Sequence, residues 1–169
     1  SEQKRLLCEK ATRIIAVSEW TKLELHRLFG TDPEKIDVVH HGASVRLKDA
    51  STLARDPRLT GRYLLFVGKR SEYKNFDTFI RASAKPMQND KTLTVMCAGG
   101  GPFTAAELEL IDGLGIRNRV FQAFLSDSEL AGAYQGAAAF VFPSFYEGFG
   151  IPILEAFANR CPVMASDIP

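Results

Sequence analysis

The chain has 169 residues, 46% of them hydrophobic and 24% charged, which is enough to bury the core of one globular domain of usual size. Its net charge of +1 comes from 21 basic and 20 acidic residues with no basic block, which argues against a nucleic-acid polymer as a partner. The 3 cysteines are an odd number and lie far apart, so disulfide and metal frameworks are disfavoured and a reducing compartment fits. No apolar run approaches the roughly 20 residues that a membrane-spanning helix needs.

The first part of the chain has the pattern of one β-α-β unit. Residues 12–17 form an apolar run typical of a short buried strand. Ser18 is a good N-cap for the segment 20–29, where apolar side chains recur at helical spacing. A second strand is predicted over 36–40.

Two neighbouring histidines, His40 and His41, lie at the end of that second strand. Successive residues of a strand point to opposite faces, so the pattern predicts that these imidazoles do not act as a pair. A structural role is therefore favoured over a catalytic one.

A regular alternation of strands and helices begins at Tyr63. The segment 43–62 before it has no sustained period and is interpreted as a linker. Strands are predicted over 63–67, 93–98, 120–125, 139–142 and 162–165. Helices are predicted over 76–84, 103–114, 126–135 and 153–159. Strands that are apolar throughout indicate a parallel sheet covered by helices on both faces, which binds ligands beyond the carboxyl ends of its strands.

Two features of the helices are predicted from single residues. Glu129 stands where a capping-box acid reaches back to the start of its helix. Glu107, with Glu109 and Asp112, is expected on the solvent-facing side of the helix over 103–114.

A basic loop follows the first strand of the alternating region. It places Arg70 and Lys74 at the expected ligand-binding edge. The arginine fork suits phosphate oxygens, and lysine supplies a mobile point charge. Two such cations would stabilise the negative charge that builds on a leaving diphosphate, without a metal ion. A solvated basic loop of no special function is the alternative.

A loop with two glycines, Gly148 and Gly150, follows the strand that ends at Phe142. Pro152 stands where a first helical residue would be. A strand, a glycine-containing loop and a helix N-terminus present free N–H groups and a positive dipole end to an anion. Units of this kind are common in α/β proteins, so the pattern alone is not decisive.

Two carboxylates, Glu147 and Glu155, frame this loop. A carboxylate beside a phosphate is suited to accept hydrogen bonds from hydroxyl groups, as on a sugar or a ribose. A phosphate site between two hydroxyl acceptors suits a nucleotide-sugar. The alternative is that both side chains are simply solvated.

The segment 144–156, Ser-Phe-Tyr-Glu-Gly-Phe-Gly-Ile-Pro-Ile-Leu-Glu-Ala, resembles the E-x7-E signature of glycosyltransferase family 4, whose members are retaining enzymes of the GT-B fold. The resemblance implies that Glu147 faces the donor sugar and that Glu155 holds the ribose hydroxyls. It also implies that the backbone of Phe149 and Gly150 contacts the phosphate side.

The segment 66–76 resembles the phosphate-binding loop of the same family. Lys74 has the usual spacing from Gly68, but Lys69 stands where the family usually has its arginine, and Arg70 comes one residue later. The resemblance therefore implies Arg70 and Lys74 as the cations, with Lys69 as the departure from the pattern.

The resemblance implies an α/β fold, a GT-B type Rossmann-like parallel sheet with helices on both faces, truncated at both ends. Residues 1–42 would be the tail of an N-terminal acceptor domain, 43–62 the interdomain linker and 63–169 an incomplete nucleotide-sugar-binding domain. The expected catalytic residues are Glu147, Arg70 and Lys74. The expected substrate-binding residues are Gly148, Phe149, Gly150, Ile151, Glu155 and Gly100.

The implied reaction moves a sugar from a nucleoside diphosphate sugar to an acceptor hydroxyl with retention of anomeric configuration. It needs no cofactor and no metal, and its donor would be a UDP- or GDP-sugar. The expected role is in polysaccharide biosynthesis, with a glycan, a lipid or a small molecule as the acceptor. The expected location is cytoplasmic, with the parent protein peripheral at a membrane and with no nucleic acid as partner. This part of the chain alone is expected to be inactive.

Three other functions stay open on the residues. The first is a nucleotide-sugar-binding module without catalytic activity. The second is a glycoside hydrolase that uses Glu147 and Glu155 as its acid and base, because such enzymes hold two carboxyl groups about 5 to 9.5 Å apart. The third is a phosphate-binding Rossmann domain of another purpose.

Overall fold

The structure is a computed structural model that describes residues 2–42, 61–70 and 72–168. Most of the predicted linker, residues 43–60, lies outside the described residues. The chain forms two compact units. The first contains the residues up to Gly42 together with Glu147–Ile151, and the second contains the remaining described residues. The predicted domain boundaries remain predictions.

The first unit contains the predicted β-α-β arrangement, preceded by a helix. Its elements are α1 (Glu2–Lys10), β1 (Ile14–Ala16), α2 (Glu19–Phe29), a 3-10 turn (Pro33–Lys35) and β2 (Ile36–Val38). The two strands are parallel, with Ile14 opposite Ile36. The predicted N-cap is confirmed, because the Ser18 hydroxyl accepts a hydrogen bond from the Thr21 backbone N–H.

The second unit is built on a sheet of five parallel strands. Its elements are β3 (Tyr63–Val67), α3 (Phe76–Asn89), β4 (Thr94–Ala98), α4 (Ala105–Gly113), β5 (Val120–Ala123), α5 (Asp127–Gly136), β6 (Ala139–Phe142), α6 (Ile151–Ala158) and β7 (Val163–Ala165). The strand order is β5-β4-β3-β6-β7. The α/β class and the parallel sheet are confirmed.

Each face of this sheet packs against its own apolar cluster. Strand β3 shows why, since Leu65 belongs to one cluster and Phe66 to the other. Because side chains alternate along a strand, a strand that is apolar at every position needs cover on both sides. Phe140 and Tyr134 lie in the first cluster, and Ile80 lies in the second.

Helix α3 is longer than the sequence predicts. The expected end before Pro86 follows from the missing N–H of proline, but the helix continues to Asn89. Met87 lies in the last turn and is completely buried in the second cluster. Burying that side chain contributes roughly 1.5 to 3 kcal/mol, which offsets much of the roughly 3 kcal/mol that an internal proline costs.

Helices α4 and α5 both begin with a capping box. The Ser126 hydroxyl accepts from the Glu129 N–H, and the Glu129 carboxylate accepts from the Ser126 N–H, as predicted. Thr104 and Glu107 form the same reciprocal pair at the start of α4. Among the described residues, no helix is long and apolar enough to cross a membrane.

Candidate functional site

The winding of the sheet points to a ligand crevice at one edge. From β3 the chain adds β4 and β5 on one side, and later adds β6 and β7 on the other. Such a reversal leaves a crevice outside the carboxyl ends of the two central strands, which is where open α/β sheets bind ligands. The loops after β3 and β6 border this crevice.

A backbone hydrogen bond links these two loops. The backbone N–H of Phe145, after β6, donates to the carbonyl of Tyr73, after β3, at 2.8 Å. The ammonium group of Lys74 lies 4.8 Å from the ring centre of Phe142, the last residue of β6. The structure therefore places the Lys74 ammonium group beside the last residue of β6.

The Arg70 side chain is turned into the protein and is only 3% exposed. Its Nε donates to Glu107 Oε1 at 2.7 Å, and its guanidinium carbon lies 4.7 Å from the Phe103 ring centre. Its terminal nitrogens donate to the carbonyls of Gly99 at 3.0 Å, Gly101 at 2.9 Å and Pro102 at 2.8 Å. The predicted fork is therefore occupied by acceptors of the protein itself.

The turn that Arg70 holds consists of three glycines in the left-handed region, Gly99, Gly100 and Gly101, with φ of +85°, +75° and +78°. Residues other than glycine rarely adopt this backbone conformation. A Cβ added at Gly100 would lie 2.8 Å from the Gly68 carbonyl oxygen and 2.7 Å from Arg70 Nη1. The turn therefore lies directly against the start of the basic loop.

The prediction for Glu107 is wrong. Its side chain is only 12% exposed, because it pairs with Arg70 while its second oxygen accepts from the Thr104 N–H at 2.7 Å. The T-x-x-E spacing is a capping-box signature that indicates the second contact. No local pattern indicates the first, since Arg70 lies in the loop after β3 and Glu107 lies in α4.

Glu155 lies in α6 and is held by a buried tyrosine. Tyr134, completely buried on α5, donates its hydroxyl to Glu155 Oε2 at 3.0 Å. Burial raises the pKa of the Glu155 carboxyl above its ordinary value; the Tyr134 bond lowers it in part, and the charge of Asp127 raises it further. Burial also raises the pKa of Tyr134 far above its usual range, so its hydroxyl stays a donor. The sequence does not reveal this contact, because an aromatic residue in a helix is usually part of the core.

We expect Tyr134→Phe to weaken nucleotide binding by about 3- to 10-fold. A hydrogen bond to a charged group contributes roughly 1.5 to 3 kcal/mol. Without it Glu155 should be less well oriented, and part of this free energy should be lost from nucleotide binding. The ring remains in the core, so its packing on Phe140, at 5.4 Å between ring centres, should persist. Titration calorimetry with UDP, GDP and ADP measures the effect. Unchanged affinity would contradict the contact's role.

The carboxylate loop, Glu147–Ile151, belongs to the first unit. The carbonyl oxygen of Gly148 accepts from the Ser18 hydroxyl at 2.6 Å and from the Thr21 hydroxyl at 3.2 Å. The N-cap of α2 therefore also fixes the backbone of this loop. Gly150, with φ of +85°, adopts the left-handed conformation just before α6.

The histidine prediction is wrong in its geometry. Strand β2 ends at Val38, so His40 and His41 lie beyond it and do not alternate. Both rings contact Phe149, with centres 5.8 Å and 5.4 Å from its ring centre. The two imidazoles therefore act together as a support for the aromatic residue of the carboxylate loop.

The predicted site residues thus fall into two groups, each described within its own unit. The second unit holds Arg70, Lys74, Gly100 and Glu155; the first holds Glu147, Gly148, Phe149, Gly150 and Ile151. Their predicted roles towards a ligand remain predictions. In the described parts of the chain, no cluster of three or more His, Cys, Asp or Glu side chains is arranged to hold a metal ion.

A parallel α/β sheet with a basic loop after its first strand occurs in many classes of protein, and comparison with known proteins identifies the class of this chain. Residues 53–169 match the family model described as Glycosyl transferases group 1, and residues 2–47 match that of Glycosyltransferase Family 4. The chain belongs to the group 1 glycosyl transferases.

Among curated relatives, the chain is 30% identical over 166 residues to the O-antigen chain mannosyltransferase RfbU of Salmonella typhimurium. The match covers 98% of this chain and 45% of that protein. It is 29% identical over 167 residues to the alpha-D-kanosaminyltransferase of Streptomyces kanamyceticus, covering 94% of this chain and 43% of that protein. The chain spans less than half the length of these relatives.

Among solved structures, the chain resembles S. aureus TarM, described as a mutant in complex with Fondaparinux, alpha-GlcNAc-glycerol and UDP. The TM-score is 0.78 at 17% identity, and the match covers 99% of this chain and 32% of TarM. This likeness concerns the fold, and it confirms the predicted GT-B type.

Proposed function

We propose that this chain carries the donor-binding part of a retaining glycosyltransferase. The reaction would move a hexose from a nucleoside diphosphate sugar to an acceptor hydroxyl and keep the anomeric configuration. The observation that carries this proposal is the partly buried Glu155 carboxylate, which Tyr134 holds in place at 3.0 Å. A carboxyl group that a buried hydroxyl holds in one orientation is suited to accept hydrogen bonds from ribose hydroxyl groups.

Three of the predicted groups then have a role in the transfer itself. The bond between the anomeric carbon and the diphosphate oxygen breaks, and its electron pair remains on the diphosphate. Lys74 and the backbone N–H groups of Gly148–Ile151 would stabilise that charge. Glu147 would accept from the hydroxyl groups of the donor sugar and orient it. No step of this scheme draws on a metal ion.

Family membership and the named relatives support the proposal. The two curated relatives are named as transferases of different sugars, mannosyl and kanosaminyl, so the sugar itself is left open. The TarM structure holds UDP, which favours a nucleoside diphosphate as the leaving group here as well. A role in polysaccharide synthesis, a cytoplasmic location and a membrane-peripheral parent protein remain predictions.

The test is titration calorimetry of the chain with UDP, GDP and ADP, beside the variants Glu155→Ala and Glu109→Ala. Glu109 is an exposed acid on α4, so its replacement removes the same charge away from Glu155. We expect one nucleotide to bind, Glu155→Ala to abolish the binding and Glu109→Ala to retain it. Absence of binding by a chain that circular dichroism shows to be folded would contradict the proposal.

A further inference from the structure

The guanidinium group of Arg70 has few donors left for a ligand. Arginine carries five N–H donors. Nε is used by Glu107, and the terminal nitrogens are used by three backbone carbonyls at 2.8 to 3.0 Å. At most one N–H remains, whereas a phosphate is typically gripped by two parallel donors. The 3% exposure of the side chain leaves almost no surface for an incoming group.

The charge of Arg70 is also neutralised from within. Glu107 lies 2.7 Å away and is itself 12% exposed, so the pair is largely shielded from water. A diphosphate approaching Arg70 would meet the Glu107 carboxylate as well, and like charges repel. The ion pair as a whole therefore adds little positive potential to the loop after β3.

The same contacts connect three elements. Arg70 starts from the loop after β3, its carbonyl partners form the turn after β4, and Glu107 closes the capping box of α4. The rings of Phe103 and Phe76 flank the guanidinium at 4.7 and 5.7 Å. Removing Arg70 would leave several carbonyls and a carboxylate without their donor, and leaving such buried groups unpaired is costly.

We propose that Arg70 is a positioning residue that fixes the turn Gly99–Pro102 and the start of α4, and that it is not a ligand of the donor diphosphate. The charge that faces the diphosphate then comes from Lys74 and from Lys69. Lys69 is exposed, and it lines a cleft with Gly100, Gly101 and the Arg70–Glu107 pair. This inference rests on the proposed function for its effect on donor binding.

The binding test compares Arg70→Lys, Glu107→Gln and Lys69→Met with the wild-type chain. Each is titrated with UDP, GDP and ADP and with the matching monophosphates. If Arg70 were a direct phosphate ligand, Arg70→Lys would weaken binding of the diphosphates and leave the monophosphates largely unaffected, because lysine lacks the bidentate fork. Glu107→Gln would then tighten diphosphate binding by freeing a cation. A positioning residue predicts the reverse: Arg70→Lys lowers affinity for both nucleotides by the same factor, about 5- to 20-fold, and Glu107→Gln does not tighten binding.

Lys69→Met serves as the matched variant. It should lower diphosphate affinity several-fold while the monophosphate affinity changes less, because it removes charge without disturbing the turn. Tighter diphosphate binding by Glu107→Gln, or a loss in Arg70→Lys confined to the diphosphate, would overturn the inference.

A second measurement does not depend on any ligand. The N–H groups of Gly99, Thr104 and Glu107 donate to the Ala123 carbonyl, the Glu107 carboxylate and the Thr104 hydroxyl. In Arg70→Lys their hydrogen exchange should quicken at least about tenfold, and in Lys69→Met it should stay unchanged. Unchanged exchange in Arg70→Lys would overturn the positioning role. If the wild-type chain binds no nucleotide, the proposed function fails and the exchange rates still decide the role of Arg70.

Discussion

Glu155→Gln is expected to weaken nucleotide binding by about 10- to 100-fold and, at neutral pH, to make the free chain more stable. Hydrogen bonds to a charged group contribute roughly 1.5 to 3 kcal/mol, and a tenfold loss of affinity corresponds to about 1.4 kcal/mol. The amide of glutamine keeps the shape of the side chain and one acceptor for Tyr134, but it removes the charge. The loss in affinity is therefore specific to the carboxylate.

The gain in stability follows from the direction of the pKa shift. Burial raises the pKa of the Glu155 carboxyl in the folded chain above its ordinary value, so the folded state holds this proton more tightly than the unfolded state. Its contribution to stability is complete below the unfolded pKa and is lost as the pH rises through the folded pKa. Glutamine does not ionise and avoids that loss.

Unfolding by urea without ligand, at pH 4 and at pH 8, measures this difference. The variant should match the wild-type chain at pH 4 and exceed it at pH 8, while Glu109→Gln should match it at both. Wild-type nucleotide affinity should fall as the pH is lowered through the folded pKa of Glu155. An equal gain in stability at both pH values would show that the carboxylate charge is not its cause.

Gly100→Ala is expected to destabilise the second unit by about 2 to 5 kcal/mol and to reduce nucleotide binding with it. The left-handed conformation costs a non-glycine residue roughly 1 to 2 kcal/mol, and overpacking adds roughly 1 to 3 kcal/mol. The new methyl group would lie 2.8 Å from a backbone oxygen of Gly68, which cannot move aside as a side-chain end can. It would also displace Arg70 from the turn.

Gly101→Ala is the matched control for this substitution. Its φ of +78° is almost the same, but nothing lies within 4 Å of the added Cβ. It should therefore cost only the conformational part, about 1 to 2 kcal/mol, and leave Arg70 in place. Urea unfolding and nucleotide titration of both variants give the comparison. Equal losses of stability in both variants would mean that the new methyl group does not clash with Gly68, and would contradict the prediction.

The sheet could be predicted because its signals are local. Each of the five strands of the second unit is a short apolar run between turn residues, and all five are present. The ends of elements are less predictable because partners set them. Strand β2 stops at Val38 since its partner β1 offers only three residues for pairing, Ile14–Ala16. Helix α3 passes Pro86 because Met87 has a place in the core.

The candidate site was only partly predictable for the same reason. Residue type and spacing single out Glu147, Glu155, Arg70 and Lys74 as carriers of charge. They do not show which partner each charged side chain contacts. The partner of Arg70 lies on α4, 37 positions along the chain, and the partner of Glu155 looks like any aromatic residue of a core.

The contacts of Tyr134 limit how this protein can be engineered for higher thermal stability. Its ring fills the core and its hydroxyl orients Glu155, so the same side chain serves both core packing and the candidate site. Phenylalanine, the volume-conserving choice that a repacking search prefers, would keep the first property and lose the second. In the other cluster, Phe76 and Phe103 flank Arg70 and have a similar second role, whereas Ile80 is a buried aliphatic side chain. Searches for heat resistance should therefore vary positions such as Ile80 and hold position 134 fixed.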